Sequence, residues 1–214
     1  MSTHLSSVVT GVPRQARVSP RLLRTALGAR ALWNGGFALY LLLQHERSVK
    51  ALIAVFVRFA FVDALLAIVV ATAYLAVTPR RPLWLSPAVD AVARLTLVAL
   101  VVFAPGWVDV PLTAVLYVAL LATFVVMDGA LDLAVGLSLD RELGHRSGWW
   151  SLSANGMVAM ATGAAMFALD PGARVLRLLL VVVAASHGAA CASAARHVST
   201  LRVTVRRLDA RARA

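Results

Sequence analysis

Six apolar stretches, each near the length a helix needs to cross a bilayer, set the class of fold open to this chain. A membrane span takes roughly 20 mainly apolar residues. Stretches of that kind occupy residues 27–43, 51–77, 88–104, 112–137, 149–169 and 175–195, with short polar connections between them. The third is short, and the second is long enough to tilt. Pro79, Pro82, Pro87, Pro105, Pro111 and Pro171 are expected in connections or at span starts, where a missing backbone donor costs least. Trp84, Trp107, Trp149 and Trp150 fall near the expected interfaces, where amphipathic rings settle. The expected fold is all-α, a polytopic membrane protein. A soluble helical bundle would need polar helix faces, and these stretches lack them.

Composition agrees. Of 214 residues 60% are hydrophobic and 14% charged, against about half and a quarter in a soluble domain. Such hydrophobicity excludes a disordered chain, and a single cysteine, Cys191, excludes a secreted disulfide scaffold. The formal charge is still +11, and the arginines are unevenly placed. The segments 1–26 and 196–214, with the loops after spans two and four, hold fourteen of the 21 Lys and Arg. The opposite side holds four: Arg47, Lys50, Arg174 and Arg177. By the positive-inside rule both termini are expected to be cytoplasmic. A cleavable signal peptide is not expected, since the tail ahead of the first span is long and lacks an A-x-A site before a loop. The organisation reads as a basic N-terminal tail (1–26), a transmembrane domain (27–195) and a basic C-terminal tail (196–214). Val198, Leu201, Val205 and Leu208 share one helical face, so this tail is expected to lie on anionic headgroups. The arginines come without aromatic stacking residues or a fold signature, which argues against nucleic acid as the partner.

The spans pair into three hairpins of similar length. Leu32-Trp33-Asn34-Gly35-Gly36 opens the first, and Trp150 to Asn155-Gly156 opens the third. The returning helices carry Asp63-Ala64, Asp128-Gly129 and His187-Gly188, each an ionisable side chain before a small one. The second hairpin departs at its start, where Ala93-Arg94-Leu95 replaces Asn-Gly. With these helix starts, the Gly163 step, the Asp170-Pro171 turn and the small residues after Asp128 and His187, residues 27–195 resemble the HdeD-like family of small bacterial membrane proteins. That resemblance implies six spans as hairpin repeats, an inner-membrane location and a role in stress or acid resistance. It implies no catalytic residues.

Polar residues inside spans are expensive and mark function or packing. At a rise of about 1.5 Å per residue, Arg94, Asp132, Asp128, Asn34, Asn155 and His187 lie roughly 7–13 Å in from the cytoplasmic side. They form one layer. Asp63 falls near the midplane and Arg58 nearer the outer face. Asp128 and Asp132 are four apart and share a helix face, so either one keeps its proton or a cation lies between them. Arg94 is the expected partner, with a guanidinium that can fork to two carboxylates. Asp90, four residues before Arg94, competes for it from nearer the headgroups. Such a network either fixes helix packing or forms a proton-responsive cavity in which Asp63, Asp128, Asp132 and His187 titrate. His187 discriminates, because a free imidazole titrates near pH 6.5.

Ala184, Gly188 and Ala192 make a small-residue ridge on span six, and Ala159 and Gly163 another on span five. These ridges serve either the bundle or a homo-oligomer. Met157, Met160 and Met166 read as core filling, and Cys191 as a small apolar residue. No nucleotide loop, zinc-ligand spacing or nucleophile elbow occurs. Asp128-Gly129 with Asp132 resembles part of the CDP-alcohol phosphotransferase motif, but its first acid would be Val125 and its Ala-Arg pair Asp132-Leu133. The chain therefore reads as non-enzymatic, with no cofactor or metal site. The alternative is a small proton- or ion-coupled transporter or channel subunit.

Overall fold

Leu, Val and Ala fill the stretches between the connections, and each stretch forms one helix that satisfies its own backbone groups. The computed structural model describes residues 20–44, 48–77, 81–103, 110–143, 150–169 and 172–211. They form helices α1 (Pro20–Leu43), α2 (Val49–Val77), α3 (Arg81–Phe103), α4 (Val110–Leu143), α5 (Trp150–Ala168) and α6 (Ala173–Arg211), and the fold is all-α. Four of them, α2, α3, α4 and α6, are long and apolar enough to cross a membrane. The other two are less apolar for a visible reason. Helix α1 carries Arg21, Arg24, Arg30 and Asn34, and α5 is built largely of Ala, Gly, Ser and Met.

The distribution of side chains is that of a lipid-facing bundle. Leu32 is 80% exposed and Leu43 71%, whereas Asp63 is fully buried and Arg30 only 4% exposed. Large apolar side chains face outward on all six helices, among them Phe61, Val92, Val115, Phe167 and Leu178. In water so broad an apolar surface would drive association, while in lipid it is the matching surface. These features are those of an integral membrane protein.

The helices close into a ring, each packed on the next and α6 on α1. The closest pairs are α6 with α1, α2 with α3 and α4 with α5, so each hairpin packs more tightly on its neighbours than on itself. Small residues permit this. A Cβ added at Gly129 would lie 2.7 Å from both the Gly156 carbonyl and the Met160 nitrogen, and one at Gly163 would lie 2.9 Å from the Ala122 carbonyl. One at Gly188 would lie 3.2 Å from the backbone of α1. Both expected ridges are thus used inside the chain, the α5 ridge on α4 and the α6 ridge on α1. An oligomer would need a different surface.

Three expectations are corrected. Helix α1 begins at Pro20, inside the segment read as a tail, with proline at a position where its missing donor is harmless. Pro87 lies within α3 and not at its start, because the helix opens at Arg81. Helix α6 runs unbroken to Arg211, and its 39 residues measure about 58 Å against a hydrocarbon layer of about 30 Å. The backbone of the C-terminal arm thus continues α6 without a break at residue 196. The side chains of Leu201, Val205 and Leu208, like Asp170-Pro171, Trp107 and Trp149, lie outside the described residues.

Two apolar clusters hold the bundle. One joins Phe37, Leu41, Phe56, Phe59, Leu121, Phe124 and Leu180 toward the α1–α2 connection. The other joins Leu23, Leu27, Val70, Tyr74, Leu139 and Val198 toward the opposite end. The layer between them is polar.

Gly129→Ala should lower stability by about 1–3 kcal/mol through overpacking, since backbone atoms of α5 cannot move aside. Gly36→Ala, with nothing within 4 Å of the new Cβ, should be neutral or stabilise by about 0.5–1 kcal/mol. Thermal unfolding of the two variants in detergent micelles checks the contrast.

Candidate polar site in the bundle

Every helix contributes to the polar layer. In α1, Arg30 and Asn34 are four apart and share the inward face, and in α3 Asp90 and Arg94 repeat that spacing. Helix α2 adds Asp63, α4 adds Asp128 and Asp132, α5 adds Asn155 and α6 adds His187, all buried.

Two groups form within the layer. The first is built on two arginines. Arg30 donates from Nε to the two Asp63 oxygens at 3.2 and 3.3 Å and from Nη2 to Oδ2 at 2.7 Å, and it also bonds Asp90. Arg94 Nε lies 2.6 Å from Asp90 Oδ1 and 3.1 Å from Asp63 Oδ2, and its Nη2 reaches Asp128 Oδ2 at 3.5 Å. Asn34 Nδ2 donates to Asp63 Oδ1 at 2.8 Å. On its outer side the Arg94 guanidinium sits 5.1 Å from the Phe124 ring centroid, a cation–π contact. Phe37 and Phe59 stack at 3.8 Å, with Trp33 against Phe59, and belong to the outer apolar cluster.

The second group has no arginine. Asn155 Nδ2 donates to Asp132 Oδ2 at 2.6 Å and lies 3.4 Å from His187 Nδ1, which is 3.9 Å from the same Asp132 oxygen. Across both groups four carboxylates face two guanidinium groups, an excess of two negative charges if all are ionised. Asp128 Oδ1, Ser153 Oγ, Asn155 Oδ1 and His187 Nε2 are buried and lack a hydrogen-bond partner among the described residues. Leaving such atoms dry costs about 1–3 kcal/mol each, more for a charged group. Protons or water complete this layer on physical grounds.

A cavity of about 60 Å³ adjoins the second group. Asp132, His187, Arg30 and Asp90 form its polar wall, and Leu27, Tyr74, Leu139 and Ala194 lead it toward the helix ends that carry the arginine-rich segments. Cys191 lines it as well.

Seven of the eight intramembrane polar residues singled out in the sequence meet there: the six expected in one layer, Asn34, Arg94, Asp128, Asp132, Asn155 and His187, and Asp63, expected nearer the midplane. Arg58 does not. It lies on the exposed face of α2, because five residues from Asp63 is about 140° around the helix. Arg30, not singled out in the sequence, is a member of the layer, and Asp90 is a full member and not a peripheral competitor. Their i,i+4 spacing to Asn34 and Arg94 was the available signal. It was obscured because the apolar runs begin at 27 and 88, several residues after the helices do.

Asp63, Asp90 and His187 each present a ligand atom within 4.8 Å of the others, a spacing that could hold a metal ion. The carboxylates there are already engaged by Arg30 and Arg94, whose positive charges would oppose a divalent cation at contact distance. The donor set does not fit a metal.

Asp63→Ala should cost about 3–5 kcal/mol, because it strips two buried guanidinium groups of a shared partner. Arg58→Ala should change stability by less than about 0.5 kcal/mol. Chemical unfolding in mixed micelles measures both. Comparison of the chain with family models, with curated proteins and with solved structures finds no match, so its own residues carry the functional reading.

Proposed function

We propose that this chain is a non-enzymatic, six-span protein of a bacterial-type plasma membrane whose buried polar layer responds to acid. The observation that carries this reading is the excess of carboxylates over guanidinium groups in a layer shared by six helices, beside a cavity. Such an excess is relieved by taking up protons, so occupancy of the layer follows pH. The HdeD-like resemblance points the same way, toward stress or acid resistance.

Six spans are supported by the reach of the two less apolar helices. Helix α1 contributes Leu23 and Leu27 to one apolar cluster and Phe37 and Leu41 to the other. Helix α5 runs along α4 from Ser153 beside Gly136 to Gly163 beside Ala122. Three hairpin repeats are supported by the alternation of close and looser packing around the ring. The arginine count supports cytoplasmic termini and a basic C-terminal arm near anionic headgroups.

A second reading, proton- or ion-coupled transport, draws on the cavity. Flux through proteoliposomes that Asp128→Asn abolishes would favour it. For the principal reading, cells lacking the protein and complemented with the wild type should survive an acid challenge that cells carrying Asp128→Asn/Asp132→Asn do not. Equal survival at equal membrane expression contradicts an acid response through this layer.

A further inference from the structure

Alanines open a groove between α2 and α3 on the outer side of the bundle. Ile68, Ala71, Thr72 and Leu75 recur at three- and four-residue steps and so share one face of α2. Trp84, Ala88, Ala91 and Leu95 share one face of α3 in the same way, and the two faces line a volume of about 300 Å³. Ala71 and Ala91 are buried, Ile68 and Leu75 are exposed and Trp84 is half-buried, so small side chains form the floor and large ones the rims. The groove is almost wholly apolar. Its one hydroxyl, on Thr72, donates within its own helix, 3.0 Å from the Ile68 carbonyl and 2.9 Å from that of Val69. What lies in it is therefore hydrocarbon.

Three observations bear on the source of that hydrocarbon. The first is length. Trp84 to Leu95 is about 16 Å along α3, half of a hydrocarbon layer of about 30 Å, which is the reach of the acyl chains of one leaflet. The second is charge. Arg80 and Arg81 precede Trp84, Arg81 opens α3, and no acid occurs between Asp63 and Asp90. The third is Arg58. The groove's face of α2 continues through Leu65 and Phe61 to Arg58, all exposed, and Arg58 makes no ion pair among the described residues. A helix packed along this face would cover Arg58 as well, and a buried unpaired guanidinium is costly. A second copy brings it no counter-charge at that depth, since Asp63, Asp90, Asp128 and Asp132 are all buried in their own polar layer. A phospholipid takes up one leaflet only and leaves Arg58 to extend toward the headgroups of the other.

We propose that the groove is a binding site for an anionic phospholipid, with one acyl chain along Ala71, Ala88 and Ala91 and the headgroup at the Arg80–Arg81 end. The chain fills the depression that the alanines leave, gaining dispersion contacts that a flat helix face does not offer. The two positive charges select a headgroup of net negative charge, such as phosphatidylglycerol, over the zwitterionic phosphatidylcholine.

The test uses the full chain reconstituted at neutral pH in phosphatidylcholine vesicles, with either phosphatidylglycerol or phosphatidylcholine carrying brominated acyl chains. Bromine quenches tryptophan on contact, and the part of the quenching that Trp84→Phe removes reports on the groove. Brominated phosphatidylglycerol should be enriched over brominated phosphatidylcholine at Trp84 by about fivefold, the scale of one basic residue at an anionic surface. Arg80→Gln/Arg81→Gln should bring the two lipids to near parity. Ala88→Leu, which fills the groove one turn from Trp84, should lower the enrichment about twofold or more in a bundle of unchanged melting temperature. Equal quenching by the two lipids in the wild type, or full enrichment kept by either variant, overturns the site. Trp84 shielded from both brominated lipids shows a second copy seated in the groove and overturns it too.

Discussion

The bundle is organised by ion pairs that cannot be left unmade. Arg30 and Arg94 bring two permanent positive charges into the interior, and a buried unpaired guanidinium is far more costly than a paired one. Asp63 sits between them and Asp90 bridges them from α3, so α1, α2 and α3 are fixed relative to one another by charge. Arg94 extends the link to α4 through Asp128. Lipid tails offer little driving force for one apolar helix to prefer another, so close packing and polar contacts must set the arrangement. Here both act together. The glycines of α4 and α5 and the small residues of α6 bring the backbones near, and the polar side chains then meet at one depth.

The two apolar clusters give this layer its setting. The aromatic group of Phe37, Phe56 and Phe59 lies on one side, with Phe124 against Arg94, and the Leu23, Val70 and Leu139 group lies on the other. The polar layer is thus flanked by apolar packing, and the cavity adjoins it on the side of Leu27, Val70, Tyr74 and Leu139.

Much of this was legible in the chain. The six helices follow from apolar run length, and the common layer of Asn34, Arg94, Asp128, Asp132, Asn155 and His187 follows from counting residues along them. Helix ends were less legible. Arg21, Arg24 and Pro87 lower the local hydropathy, so α1 and α3 look shorter than they are, and Arg30 and Asp90 look closer to the interface. Arg58 misled in the other sense. Its depth suggested the interior, but depth carries no information about azimuth, and only the position relative to Asp63 around α2 decides which way it faces. Which helices pack most closely was not written in the hairpins. It depends on where Gly129, Gly156, Gly163 and Gly188 fall when the ring closes, and that is a property of the whole bundle.

The central claim is that Arg30 and Asp63 are coupled across α1 and α2 as the pair on which the layer is built. A double-mutant cycle of Arg30→Met and Asp63→Leu, read by reversible unfolding in mixed micelles, tests it directly. The double variant should be more stable than the sum of the single losses allows, with a coupling of about 2–3 kcal/mol. Single losses that add within about 0.5 kcal/mol would show the pair to be independent and contradict the claim.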